Sequence, residues 1–258
     1  MVSNLQEQLK VQKMNIEERM SKIDKKIAIG SGKGGVGKSV VTSLIASYLA
    51  KQGKTVGILD LDITGPSIPM MFGTNEKPIG GTSGIMPVLT ESGIKIMSMS
   101  LLLPKNEDAV IWRGPMISGA VSQFLADIVW DELDYLLFDL PPGTSDVQLT
   151  LMQSIKLDGF LVVTSPQTLA ATIVKKAISM AQELNVRILG VVENMSYATC
   201  PDCGTKIKVF GNGNDNKMGF PTLGTIPIDP QISKLCDEGK IEEYEIDLGG
   251  IFNILEGL

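Results

Sequence analysis

The 258-residue sequence predicts an α/β fold, a mainly parallel β-sheet flanked by helices, and two observations carry that expectation. Short apolar runs alternate with stretches of helical periodicity along most of the chain, the pattern of a parallel sheet whose crossovers are helices. Directly after the first complete run stands "GSGKGGVGKS", where Gly32 to Ser39 fit G-x-x-x-x-G-K-[ST]. That loop requires a strand before it and a helix after it.

Taken in order, Leu5, Leu9, Ile16, Met20 and Ile23 recur at near-helical intervals among polar residues and predict an amphipathic N-terminal helix over residues 1–24. Residues 25–258 then read as one domain. Its strands are "KIAIG", "TVGILDLD", "YLLFDL", "GFLVVTS" and "RILGVV", with helices at Lys38 to Lys51, Met116 to Val129 and Leu169 to Leu184. The Gly/Pro-rich stretch from Gly80 to Leu103 predicts a hairpin inserted between the early units.

Composition narrows the function classes. With 23 basic and 29 acidic residues the net charge is −6, which offers no electrostatic footprint for nucleic acid or anionic lipid. The charged N-terminus lacks the apolar core of a secretory signal, and no run is long enough to span a bilayer. Three cysteines in a chain this long make no disulfide framework. A cytoplasmic protein without membrane or nucleic-acid partners is the expectation.

The glycine-rich loop points to a nucleotide. Gly32, Gly34, Gly35 and Gly37, with Val36 between them and Val40 just beyond, let successive backbone N–H groups turn inward around phosphate. Lys38 adds a point charge, Ser39 is a candidate Mg²⁺ ligand, and the helix N-terminus favours an anion. Asp139 follows four apolar residues in "LLFDLPPGTSD", at a strand end where a carboxylate can hold the Mg²⁺ shell. Asp60 and Asp62 end the neighbouring strand, although Asp in such places also caps turns. Asn194, in "VVENMS", carries the donor and acceptor that adenine N7 and its 6-amino group demand, and Asn is equally a turn-capping residue.

Lys33 is a second lysine within the loop. "KGGVGKS" resembles the deviant Walker A of the MinD/ParA/nitrogenase-iron-protein group of P-loop ATPases, and the stretches "DLDITGPSIP", "WRGPM", "TSPQ", "CPDCG" and "CDEGK" narrow the resemblance to the Mrp/ApbC family of iron–sulfur cluster carriers. It implies an ATPase that passes clusters to apo-proteins. It further implies a homodimer in which Lys33 reaches the partner's nucleotide, Asp62 orients the attacking water and Asn194 reads the adenine. Without that setting Lys33 is a solvated loop cation, and Arg113 of "WRGPM" has no derived role. A MinD/ParA-like positioning ATPase and a zinc-bridged dimer are the rival readings.

Cys200 and Cys203 in "TCPDCG" have the spacing of metal ligands but make only half a site, in a chain with no His and no Cys before residue 200. Two such turns meeting on a two-fold axis would supply the four thiolates of a [4Fe–4S] cluster; a [2Fe–2S] centre or zinc takes four as well. A redox disulfide within the pair is a third reading. Cys236, on a late helix, reads as a small buried hydrophobe.

Overall fold

The computed structural model describes residues 2–62, 65, 67–98, 101, 114–166, 170–210 and 219–258; the side chains of residues 2–5, 114–117 and 170–174 lie outside the description, as does Arg113. In chain order the elements are α1 (Val2–Ser21), β1 (Ile23–Ser31), α2 (Lys38–Lys51), β2 (Val56–Asp60), α3 (Ile68–Met71), β3 (Ile79–Gly81), β4 (Gly84–Met86), β5 (Val88–Leu89) and β6 (Lys95–Ser98). There follow α4 (Gly114–Asp127), β7 (Leu133–Asp139), α5 (Asp146–Ser154), β8 (Gly159–Thr164), α6 (Ala170–Glu183) and β9 (Ile188–Glu193). The last are β10 (Ala198–Thr199), β11 (Lys206–Ile207), β12 (Thr222–Thr225), α7 (Pro230–Asp237) and α8 (Gly249–Glu256).

Among the described residues the main sheet has eight strands in the order β12-β9-β8-β1-β7-β2-β6-β5, parallel throughout except for β5. Because side chains alternate across a strand, β1 sends Ile27 and Ile29 to one face and Ala28 to the other. Leu137 joins the first core and Leu136 and Phe138 the second. The core containing Ile27 packs under α2, α7 and α8 through Leu44, Leu235 and Ile251. The opposite core holds Ile16 and Met20 of α1 with Leu125 of α4, Leu151 of α5 and Ala177 of α6. Burial on both faces explains why these strands read as continuous apolar runs.

Local chemistry sets the helix ends. Gly37 at φ 77° turns the loop into α2, and Gly53 at φ 79° closes it, with the Gly53 N–H donating to Ala50 O and the Lys54 N–H to Leu49 O. Asp229 caps α7 by accepting from the Gln231 N–H at 2.8 Å, with Pro230 in the first turn.

Two expectations need correction. The Gly80–Leu103 stretch is not one inserted hairpin: β3 and β4 form a small separate pair, whereas β5 and β6 join the main sheet, β6 parallel to β2. The apolar "IKIM" supplied a strand that fits between β2 and the edge strand β5, and buried Ile96 and Met97 hold it there. Among the described side chains of the α1 stripe, Ile16 and Met20 at its C-terminal end are buried and Leu9 is exposed, while Ile23 belongs to β1.

The topology sets the site. After β7 the chain crosses back past β1 to β8, so the direction of winding reverses beside β1, where a ligand crevice opens at the carboxyl ends of the strands. Strand register then aligns Ile29, Asp139, Asp60 and Ser98 across β1, β7, β2 and β6. Three polar side chains therefore stand abreast below the glycine-rich loop.

Candidate functional site

Residues 31–40 wrap a cavity of about 190 Å³ that is also lined by Asp62, Ser67, Met71 and Pro142. Gly35 and Gly37 adopt φ near 78°, a left-handed conformation that glycine takes without strain, and a Cβ on Gly37 would run into the Asn194 amide. Lys33 through Val40 all line this cavity, and Gly32 is buried beside it.

At its floor Lys38 is buried, with Nζ 2.6 Å from Asp139 Oδ2 and 3.6 Å from Asp62 Oδ2. Asp139 is wholly buried; its Oδ2 also accepts from Ser39 Oγ at 2.7 Å and its Oδ1 from Thr42 Oγ1 at 2.6 Å. A carboxylate stripped of water costs several kcal/mol, and only such a complete set of donors with an opposed charge offsets it. Ser39 Oγ and Asp139 Oδ2 form a pair of hard oxygen donors at the loop, a donor set that fits Mg²⁺.

Asp60 lies beneath this cluster, about 1% exposed. Its Oδ1 accepts the Asp62 N–H at 3.1 Å and its Oδ2 accepts Ser98 Oγ at 3.0 Å. Burial, and then the neighbouring Asp139 carboxylate, push its pKa up to about 8, against a partial opposing pull from Lys38. Burial thus favours the neutral form of Asp60, which fixes the backbone of Asp62.

Asn194 is 5% exposed, and its Nδ2 donates to Val36 O at 2.9 Å. The structure therefore brings it to the phosphate loop, which it fastens from the end of β9. Lys33 is exposed on the outer rim, unlike Lys38.

The cysteines occupy a different setting, the turn between β10 and β11. The Cys200 N–H donates to Thr205 O and the Gly204 N–H to Cys200 O, both at 2.9 Å, with Gly204 at φ 71°. Cys203 is exposed, and its Sγ lies 3.2 Å from Thr205 Oγ1. The hydroxyl and N–H of Thr205, and then the Cys200 thiol, lower the Cys203 pKa and favour the thiolate that ligates metal. All three cysteines are free, and among the described residues no group of three or more Cys, His, Asp or Glu is placed to hold a metal. Cys236 sits half-buried on α7, where burial and Asp237 raise its pKa.

Thr42, Ser98 and Gln148 escaped the sequence analysis. Thr42 carries a signal, since it stands one helical turn beyond Lys38 and so faces the same carboxylate. Ser98 was hidden by the hairpin reading of its strand. Gln148 of α5 donates to Pro141 O at 2.7 Å, tying the segment after Asp139 to the next helix, a contact without a sequence mark.

Known proteins resemble this chain over most of its length. A curated iron–sulfur cluster carrier protein of Methanocaldococcus jannaschii is 51% identical over 234 residues, 88% of this chain and 81% of its own length. One of the same description from Clostridium perfringens is 46% identical, covering 90% of this chain and 86% of its own. A solved nucleotide-binding protein from Archaeoglobus fulgidus, in complex with ADP and with cobalt detected, superposes with a TM-score of 0.81 at 46% identity over 92% of this chain and 95% of that one. The cell-division ATPase MinD of Pyrococcus furiosus, at 22% identity over 90% of this chain and 96% of its own with a TM-score of 0.65, shares the fold. A family model described as ParA, NUBPL iron-transfer P-loop NTPase, matches residues 22–249, and the chain belongs to that family of iron–sulfur cluster carrier NTPases.

Proposed function

We propose that this protein hydrolyses ATP and carries a [4Fe–4S] cluster between the CxxC turns of two subunits, delivering it to apo-proteins in the cytoplasm. The observation behind this reading is the turn that carries half-buried Cys200 and exposed Cys203, half of a four-thiolate set with no third ligand among the described residues. A two-fold axis places each cysteine against its own copy and completes the set.

The nucleotide site takes the following roles. Lys38 exchanges its ion pair with Asp139 and Asp62 for the β- and γ-phosphates. Ser39 and Asp139 would hold Mg²⁺, which would supply positive charge beside the phosphates. Asp62, released from Lys38 and braced by Asp60, orients the attacking water. Lys33, already on the rim, reaches the nucleotide of the partner subunit. Asn194 holds Val36 through Nδ2 and offers Oδ1 to the adenine 6-amino group.

Anaerobic reconstitution followed by iron and acid-labile sulfide analysis tests the cargo. The expected content is about four iron and four sulfide per dimer, abolished by Cys200→Ala or Cys203→Ala. Zinc without sulfide would identify the zinc-bridged alternative, and a whole cluster per monomer would overturn the bridging arrangement.

A further inference from the structure

The stretch "CDEGK", residues 236–240, has no part in the nucleotide or cysteine sites, yet its Gly239 is pressed against Gly73, just past the end of α3. Both glycines are left-handed, at φ 71° and 63°, and both close a helix: the Gly239 N–H donates to Cys236 O and the Gly73 N–H to Met70 O. A Cβ on Gly239 would stand 2.5 Å from Gly73 Cα, 2.7 Å from Gly73 N and 3.2 Å from Met70 O. One on Gly73 would stand 2.9 Å from Gly239 O. These are backbone atoms, which cannot swing aside as a side chain does. We propose that this contact seats α3 for ATP hydrolysis, so that Gly73 and Gly239 are positioning residues that act through Asp62. That role rests on the reading of Asp62 as the group that orients the attacking water, and deepens it by naming what holds that side of the cavity at its distance.

α3 forms one wall of the nucleotide cavity. Ser67 at its N-cap and Met71 in its last turn line that cavity together with Asp62. The Met71 N–H donates to Ser67 O and the Phe72 N–H to Ile68 O, so a displacement at the Gly73 end is carried through this single turn to Ser67. On its other side α3 meets α2, where Ser43 Oγ donates to Met71 Sδ at 3.6 Å. Ile68 and Phe72 are buried in one core with Leu44 of α2 and Leu235 of α7. α3 is therefore wedged between the helix that starts at the phosphate loop and the helix that ends at Gly239. The thickness of the glycine contact sets how far this wall stands from Lys38. A methyl group needs about 3.5–4.0 Å from its neighbours, so adding one at Gly239 would force a shift on the order of 1 Å, and a misplacement of that size can cost up to about a hundredfold in rate. ATP affinity is less exposed to it, because residues 31–40 themselves wrap the cavity.

The test measures kcat for ATP hydrolysis and ATP affinity side by side, with ATP-binding stoichiometry reporting the folded fraction. Gly239→Ala should lower kcat about tenfold while ATP affinity stays within about threefold. Gly239→Asn eases the left-handed backbone but keeps the Cβ, and should be as slow as Gly239→Ala. Gly53→Ala carries the backbone strain alone, since at φ 79° its Cβ would meet nothing within 4 Å, and should turn over as wild type does. Asp62→Asn combined with Gly239→Ala should be no slower than Asp62→Asn, because both act on one step. Wild-type kcat in Gly239→Ala, a parallel loss in Gly53→Ala, equal losses of kcat and affinity, or a multiplied loss in the double variant would each overturn the proposal. Should neither Gly239 variant fold, Gly73→Ala is read in their place, and loss of the fold there too would make the contact a requirement of folding and overturn its role in hydrolysis. Wild-type turnover in Asp62→Asn would instead remove the reading of Asp62 on which the contact's role rests.

Discussion

The phosphate loop and the cysteine turn lie in one chain, yet they are built on opposite principles. The loop site stands on the carboxyl ends of β1, β2 and β7, each buried on both faces; its Lys38 and Asp139 are buried and paired with each other, and buried Asp60 is bonded to the Asp62 N–H and Ser98. The cysteine turn hangs on two strands of two residues, with Cys203 and the following apolar residues open to solvent. One site gathers its ion pair inside the fold, and the other presents two thiols with no third metal ligand beside them among the described residues. A carrier needs that division, since a nucleotide must be gripped reproducibly while a cargo must be reached and released.

Substitutions can sharpen the contrast. The largest effect should come from Lys38→Ala, which removes the phosphate contact and leaves Asp139 buried beside Asp60. ATP turnover should fall at least about a hundredfold, and the nucleotide-free protein should lose about 3–5 kcal/mol of stability in urea titration. Cluster loading in whatever fraction stays folded should persist, and wild-type turnover would sink the assignment. Next in size, Asp62→Asn should slow hydrolysis about a hundredfold with ATP affinity nearly unchanged, as expected of a group that acts in the transition state. Loss of binding together with turnover would make Asp62 structural.

A pH titration probes how self-contained the loop site is. Because the folded pKa of Asp60 is raised to about 8, the folded chain holds a proton that the unfolded chain has lost above pH 4. Stability should therefore fall as pH rises from about 4 to about 8, by up to about 1.4 kcal/mol per pH unit, and level off beyond. Asp60→Asn should flatten that fall in the nucleotide-free protein. Identical slopes for both proteins would show that Asp60 carries its ordinary charge. The smallest effect belongs to the exposed site: Thr205→Val removes the hydroxyl that favours the Cys203 thiolate and should slow alkylation at pH 7 about threefold. The melting temperature should be unchanged, since the turn supports little of the core.

Much of this was legible because it is local. The strand–loop–helix order, the glycines at 35 and 37 that need φ > 0, and the spacing of Cys200 and Cys203 are set by neighbours in sequence, where sterics and periodicity act directly. The sequence also placed Asp60, Asp62 and Asp139 at strand ends, and their chemistry followed from the loop beside them. It did not reveal that β6 pairs parallel with β2, because a short apolar run reads alike in a separate hairpin and in the main sheet.

What the sequence by itself determined is thus the parts and their chemistry: a phosphate loop, carboxylates at the ends of neighbouring strands, and a two-thiol turn. Their relations were decided by tertiary structure. Register across four strands set Ser98, Asp60 and Asp139 abreast, and the packing of α2 on β7 brought Thr42 and Lys38 onto one carboxylate across about a hundred residues of chain. The fold also joined Asn194 to Val36 and left Ile207, Val209 and Phe210 uncovered. These are long-range outcomes, because whether a side chain is buried, bonded or bare depends on what the rest of the chain lays against it, and no local pattern encodes that neighbour.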